Sequence, residues 1–416
     1  MPISKILLDI SPLRESRPFR NIVIARAITI FGIGMLMVAV PVQIYTITGS
    51  STQVGAVATT TGIATFVGSL VGGVLADRND RRALILWSRA LCGLAFAGLA
   101  ANAMLDAPNV LAIYVLGAID GGIGAISFTA LLAATPALIP TDKYAAAAAI
   151  NGLTGEVGTM TAPALGGLVI AAGGVTWNYG AAALGIFLTL PLLSSVPPMQ
   201  PEDTEPTHPM RSLLDGLNFA WTRPAIRSVL FIGVIALLGT GVTVLIPALV
   251  DQHFDNDPRA AGLLYSGIAL GAGIGSVTSG WVATFERKGL LVLLAACAGL
   301  AVTSFVAVAA WLWLTFLLLV AAGLAISIRG ILEFTLLQRD TPDHFRGRVN
   351  SVWSALTVLG AAVGSMLAGI LGSVMDPPAA IAVYGATLTV VAIAGLLSFG
   401  HLRTWRDLPE PAAKHS

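Results

Sequence analysis

Apolar and polar positions along this chain do not alternate with a strand period. They segregate into long apolar runs divided by short polar, proline- or glycine-marked breaks. Runs of spanning length lie at 21–46, 53–76, 83–104, 110–138, 144–172 and 175–195, and again at 226–250, 260–284, 289–309, 312–338, 348–374 and 379–400. About 20 apolar residues of helix cross a hydrocarbon core. The pattern therefore predicts an all-α membrane protein with about twelve transmembrane helices in two sets. The stretch from Ser195 to Thr222 separates the sets and is rich in proline and acid (Pro197, Pro198, Pro201, Glu202, Asp203, Glu205, Pro206, Pro209). It reads as a linker, giving residues 1–195, 196–224 and 225–416 as a first half, a connection and a second half with its tail. At the end of the linker, Met210, Leu213, Leu214, Leu217 and Trp221 recur at helical spacing, which predicts a helix lying on the membrane surface.

Basic residues orient the runs. The N-terminus carries Lys5, Arg14, Arg17 and Arg20; the even-numbered loops carry Arg78, Arg81, Arg82, Lys143, Arg211, Arg223, Arg287, Lys288, Arg346 and Arg348. The odd-numbered loops hold Arg259 alone. By the positive-inside rule both termini are expected in the cytoplasm of a multi-pass inner-membrane protein. The first run starts near Asn21 and is too long for a cleavable signal peptide.

Composition changes the picture by exclusion. Of 416 residues, 56% are hydrophobic and 11% charged, against about 25% charged in a soluble domain. Such a chain cannot build a water-facing surface of its size. A net charge of +1 without a basic tract gives nucleic acid nothing to bind. Cys92 and Cys297 sit in separate apolar runs, and His208, His253, His344, His401 and His415 fall in loops or the tail, so neither a disulfide framework nor a metal site is expected. With no nucleophile, metal or phosphate-handling cluster, and no large soluble domain, an enzyme is not expected either. ATP is not implied as a cofactor.

The two sets are related. Phe128-Thr129-x-Leu131-x-x-x-Thr135-Pro136 returns as Phe334-Thr335-x-Leu337-x-x-x-Thr341-Pro342. Pro41 matches Pro247, and Gly55, Gly68 and Gly73 match Gly262, Gly275 and Gly280. A register held across the first, second and fourth runs predicts two parallel six-helix halves rocking about a midplane site.

After the second run stands Gly73-x-Leu75-Ala76-Asp77-Arg78-x-x-Arg81-Arg82. It resembles the G-x-L-a-D-R-x-G-R-R loop of the major facilitator superfamily, with Asp80 where that family has glycine. Acid and base at a helix end can swap partners as halves rock, so the loop is expected to act as a latch with a looser turn at Asp80. In the fifth run, Gly158-x-x-x-Ala162-Pro163-x-x-Gly166-Gly167 is similar to the small-residue and proline motif of that superfamily's exporters. Four further strings are Val38-Ala39-Val40-Pro41-Val42-Gln43-Ile44, Val71 to Arg78, Leu131 to Leu138, and Trp177-Asn178-Tyr179-Gly180. They resemble the catecholate-siderophore exporters of enteric bacteria, over nearly the whole chain. The resemblance implies the major facilitator fold, a monomer, and antiport driven by the proton gradient. It further implies a catecholate siderophore such as enterobactin as substrate, passed on to an outer-membrane channel.

Ionisable groups inside a bilayer are costly and mark cavities or partners. Five within the runs are taken as candidates: Arg26, Asp120, Glu156, Arg329 and Glu333. At about 1.5 Å per residue, Asp120 and Glu156 lie roughly 15 Å from the ends of their helices, near the midplane. Burial there is expected to suit either for proton coupling. Asp120 has the alternative of an ion pair with Arg26 or a neighbouring helix, and Arg26 of snorkelling. Arg329 and Glu333, four apart, either neutralise each other or form an inner-gate pair facing the fourth helix. A large aromatic substrate wants ring faces and hydrogen bonds, which Phe66, Phe128, Phe334, Trp353, Gln43 and Asn151 are placed to supply. Export of amphipathic drugs is the competing function, and import by symport a third.

Overall fold

The computed structural model describes residues 9–134, 138–200, 209–308, 311–400 and 403, and among these all regular structure is helical. Lys5, Thr135 and Pro136 of the repeat, linker residues 201–208 and the end of the tail lie outside the described residues.

The apolar runs become helices α1 (Arg17–Thr48), α2 (Ser51–Arg78), α3 (Arg81–Ala103) and α4 (Val110–Ala134). Residues 144–173 and 175–194 form α5 and α6 within one hydrogen-bonded stretch, Tyr144–Ser194, broken where Gly174 takes φ 77°. That left-handed conformation favours glycine. The second set gives α7 (Pro224–Gly239), α8 (Pro258–Thr278), α9 (Lys288–Phe305), α10 (Leu312–Asp340), α11 (Asp343–Val374) and α12 (Pro377–Ser398). Local chemistry sets the breaks. Gly49 closes α1 at φ 59°, and the Ser50 hydroxyl accepts from the Gln53 amide to open α2.

The seventh run is not one continuous helix. After α7 the chain passes through 3-10 turns at Thr240–Leu245 before a last helical segment, Ile246–His253. Pro247 has no amide hydrogen for the carbonyl four residues back, that of Thr243. That oxygen instead accepts the Tyr265 hydroxyl of α8 at 2.9 Å.

Small residues govern packing. A Cβ on Gly158 would press into Ile30, on Gly34 into Ala162, and on Gly166 within 3.0 Å of the Met35 backbone, so the exporter motif seats α5 on α1. Its other face meets the second half: a Cβ on Gly262 of α8 would stand 2.7 Å from the Pro163 carbonyl and 2.8 Å from Gly167 Cα. The same arrangement recurs on α11. Gly360, Gly364 and Gly369 repeat the spacing of Gly158, Ala162 and Gly167. Gly360 and Gly364 seat α11 on Leu237 and Leu238, and a Cβ on Gly369 would stand 3.1 Å from Gly55 Cα of α2. Hydroxyls of Thr52 and Thr59 reinforce this crossing, donating to the carbonyls of Gly369 and Ala362 at 3.1 and 2.8 Å.

Both crossings lie near the end of the bundle opposite the termini. At the other end, Gly73, Gly152, Gly155 and Gly330 have open space where a Cβ would stand. Among the described residues the closest contacts between the halves gather on the first side, which leaves a cleft opening toward the termini and linker.

The surface helix of the linker spans Pro209–Thr222. Its Gly216 abuts the Arg348 backbone, Phe219 stacks on Phe345 at 4.3 Å, and Asp215 pairs with Arg348 at 3.6 Å. This docks it beneath α11 while Met210, Leu214, Leu217 and Trp221 form an exposed apolar row. The basic loop clasps α6. Asp80 caps α3 by accepting from Arg82 N at 3.0 Å, and also accepts from Met199 N at 2.9 Å. Arg82 donates to the Ser194 carbonyl. The expected loosening at Asp80 is corrected here: Asn79 and Asp80 both keep negative φ, so no glycine is needed and the turn stays short.

Because the crossing contacts are backbone to backbone, neither side can yield. Gly262→Val should destabilise the protein by about 1–3 kcal/mol, read as a lower melting temperature in detergent. Gly330→Ala, with open space around it, should leave melting unchanged or raise it.

Candidate functional site

Two cavities meet inside the cleft. The central one, about 400 Å³, lies between the halves and takes walls from α1, α2, α4, the 3-10 segment after α7, α8 and α11. Aliphatic side chains such as Leu36, Val40, Val57 and Val358 dominate it, and Thr61, Thr65, Thr243 and Ser365 supply hydroxyls. The side cavity, about 340 Å³, lies within the first half among α1, α3, α4, α5 and α6. Ile33, Met37 and Asp120 line both, so Asp120 stands at the junction.

The side cavity concentrates the charge. Arg26 and Arg89 line it with Thr29, Ser127, Phe96 and Phe128. Asp120 Oδ1 and the Cys92 thiol approach the position of a Gly124 Cβ at 3.8 and 3.9 Å. Asp120 makes no ion pair among the described residues, so the alternative of a pair with Arg26 or a neighbouring helix is not formed. Its nearest cationic neighbour of consequence is Arg89 on α3, a residue that sequence reasoning passed over. Arg89 is only 6% exposed and donates one terminal nitrogen to Thr29 Oγ1, leaving its Nε without a partner. An arginine inside an apolar run was the available signal.

The other candidates divide. Phe128 is 52% exposed and lines the side cavity. Phe334, its repeat mate, is also exposed and tilts against Trp353 at 5.9 Å. Phe66 and Asn151 are half-buried and line neither cavity; the Asn151 Oδ1 lacks a partner. Gln43 does not face a cavity, because it is buried and accepts the Tyr179 hydroxyl at 2.8 Å, tying α1 to α6. Glu156 is exposed rather than buried, its Oε2 3.7 Å from the place of a Gly273 Cβ on α8. The small side chains of α8 opposite leave that acid open to water.

Arg329 and Glu333 do not face α4. They form a 2.5 Å ion pair, 5% and 1% exposed, with the carboxylate against Gly233 of α7. The cavity beside Arg329 is small, about 50 Å³. The pair neutralises itself inside the second half, because helical spacing of four brings the two groups onto one face. At the mouth of the cleft, Asp77 and Arg78 are exposed at the end of α2. Among the described residues no cluster of His, Cys, Asp or Glu forms a metal-binding group.

Breaking a buried pair strands a charge, whereas replacing both members by apolar groups does not. Arg329→Met alone should cost about 3–5 kcal/mol. Arg329→Met with Glu333→Leu should recover most of that loss. Thermal unfolding of the three purified proteins in detergent checks this, and an unrestored double variant would refute a purely structural pair.

Comparison with known proteins places this architecture. The fold resembles the crystal structure of the nucleoside transporter NupG, with a TM-score of 0.70 at 12% identity over 94% of this chain and 100% of that one. In sequence the chain is 43% identical over 405 residues to the enterobactin exporter EntS of Citrobacter koseri, and 42% identical over 404 residues to that of Escherichia coli O1:K1. Both alignments span 97% of each protein. Residues 8–414 match the transmembrane secretion effector family. The chain is a multi-pass membrane transporter and belongs to that family, a branch of the major facilitator superfamily.

Proposed function

We propose that this chain exports a catecholate siderophore such as enterobactin from the cytoplasm to the periplasm by proton antiport. The observation that carries the reading is Asp120, a carboxylate lining both the central and the side cavity. A proton-coupling acid must touch the substrate path and still reach water, and its low-dielectric surroundings must favour its neutral form enough for protons to exchange. Glu156, exposed opposite α8, is better placed to meet substrate or water in the cleft than to hold a proton in isolation.

The cleft supports a cycle of alternating access. With both termini cytoplasmic, as the basic loops argue, the opening faces the cytoplasm and the glycine crossings seal the periplasmic side. Residues 1–195 and 225–416 would rock as two bodies joined by 196–224, with the site at their interface. Asp77 and Arg78, exposed in the open cleft, are the groups that would find partners when it closes, which is the latch expected of the loop. The proton gradient is the only energy source required. A monomer in the bacterial inner membrane, delivering to an outer-membrane channel, completes the proposal. Broad export of amphipathic compounds is the second reading, favoured by the aliphatic lining of the central cavity.

Secretion from cells lacking the chain and grown without iron tests the assignment. Catecholate siderophore should accumulate in the cytoplasm and return to the medium when the wild-type chain is restored. Asp120→Asn should fail to restore it, whereas Glu156→Gln should restore it at least in part. Unchanged secretion in cells without a redundant exporter would reject the siderophore and leave drug export.

A further inference from the structure

The side cavity holds opposite charges that do not meet. Arg89 reaches Thr29 with one nitrogen and keeps its Nε unpartnered, while Asp120 forms no ion pair across the same space. A buried arginine with an unpartnered donor normally finds a carboxylate, since an unmade hydrogen bond to a charged group is costly. Here the carboxylate that acts on it across the same cavity stands on α4, beside Cys92, and the cavity they line holds about 340 Å³. Phe128 lies along the wall with half its surface free, and Phe96 lines the cavity beside it.

A ligand that fits this arrangement is planar and carries a donor and an acceptor on adjacent atoms. An ortho-diol on an aromatic ring is such a group. One hydroxyl donates to the Asp120 carboxylate, the neighbouring oxygen accepts from Arg89, and the ring lies against Phe128. A single phenol satisfies one charge and leaves the other bare. A methylated diol can accept from Arg89 but offers Asp120 no proton.

We infer that the cavity within the first half is the seat of one catechol ring, bridged between Asp120 and Arg89, with the rest of the substrate in the central cavity. This rests on the siderophore reading and assigns it a specificity-determining residue, Arg89. The junction residues Ile33 and Met37 give the passage between the cavities an apolar wall, suited to the linkage between a ring and a larger scaffold. Arg26 lines the same cavity and makes no ion pair among the described residues, so it supplies positive potential there without competing for Asp120.

The test is calorimetric binding to the purified full-length chain in lipid nanodiscs. The probes are N-methyl-2,3-dihydroxybenzamide, its 2-hydroxy analogue and its 2,3-dimethoxy analogue. The wild-type chain should bind the diol about tenfold or more tightly than either analogue, the loss expected when one hydrogen bond to a charged group goes unmade. Arg89→Gln should erase that preference, and Arg89→Lys should keep part of it. The three-ligand comparison on wild-type protein needs no variant to fold. Equal binding of all three, no binding of the diol, or a preference that survives Arg89→Gln would each overturn the inference. Secretion by cells carrying the wild-type chain decides the siderophore reading separately. Normal secretion beside unselective binding would sink the catechol seat alone.

Discussion

Everything in this structure depends on two places where the halves touch backbone to backbone. At Gly55 against Gly369, and at Gly167 against Gly262, no side chain intervenes. In a bilayer, helix association draws little from the hydrophobic effect and much from close packing and interhelical hydrogen bonds. These crossings therefore hold the halves together where larger residues would keep them apart. They sit at one end, so the cleft opens at the other. They are also related by the internal repeat, because Gly55 and Gly262 are repeat mates and the α5 motif recurs on α11. A twofold pair of narrow contacts is a geometry about which two bodies can rock.

Rocking requires that each half keep its shape, and the contacts at the open end serve that end. Asp80 and Arg82 tie the start of α3 to the end of α6, within the first half. Asp215, Gly216 and Phe219 tie the linker helix to the start of α11, within the second. None of these bonds crosses the cleft. The linker helix is thereby packed mainly on the second half, with its apolar row turned outward as a surface for lipid headgroups and chains.

Much of this was legible from hydropathy alone, because burial in lipid demands long apolar runs and polar breaks mark their ends. The twelve spans, the break near Gly174 and the linker helix all follow from that demand. What hydropathy could not show was which way a polar residue faces. Gln43 and Asp120 are both polar groups in apolar runs, yet one bonds Tyr179 in the core and the other lines two cavities. Glu156 looked equivalent to Asp120 by depth, but its exposure depends on small residues of α8 far away in sequence. Arg89 escaped notice because it sits early in its run, where an arginine passes for part of the basic loop. The glycine spacing on α11 was readable but lacked the proline that makes the α5 motif conspicuous, since Ser365 stands in place of Pro163.

The two halves share a fold but not a charge economy. In the repeat register Ser127 corresponds to Glu333, and Ile326 to Asp120. The second half has its acid and base on one helix, four residues apart, closed on each other beside a cavity of about 50 Å³. The first half distributes its charges over α1, α3 and α4, around a cavity several times larger. Opposite charges on separate helices can be held apart by the packing of those helices, whereas charges one helical turn apart on the same helix fall together. Separation leaves electrostatic work undone, and a polar ligand or a proton can do it. The asymmetry therefore favours the first half for the recognition and coupling proposed above, with the second as the body against which it would move.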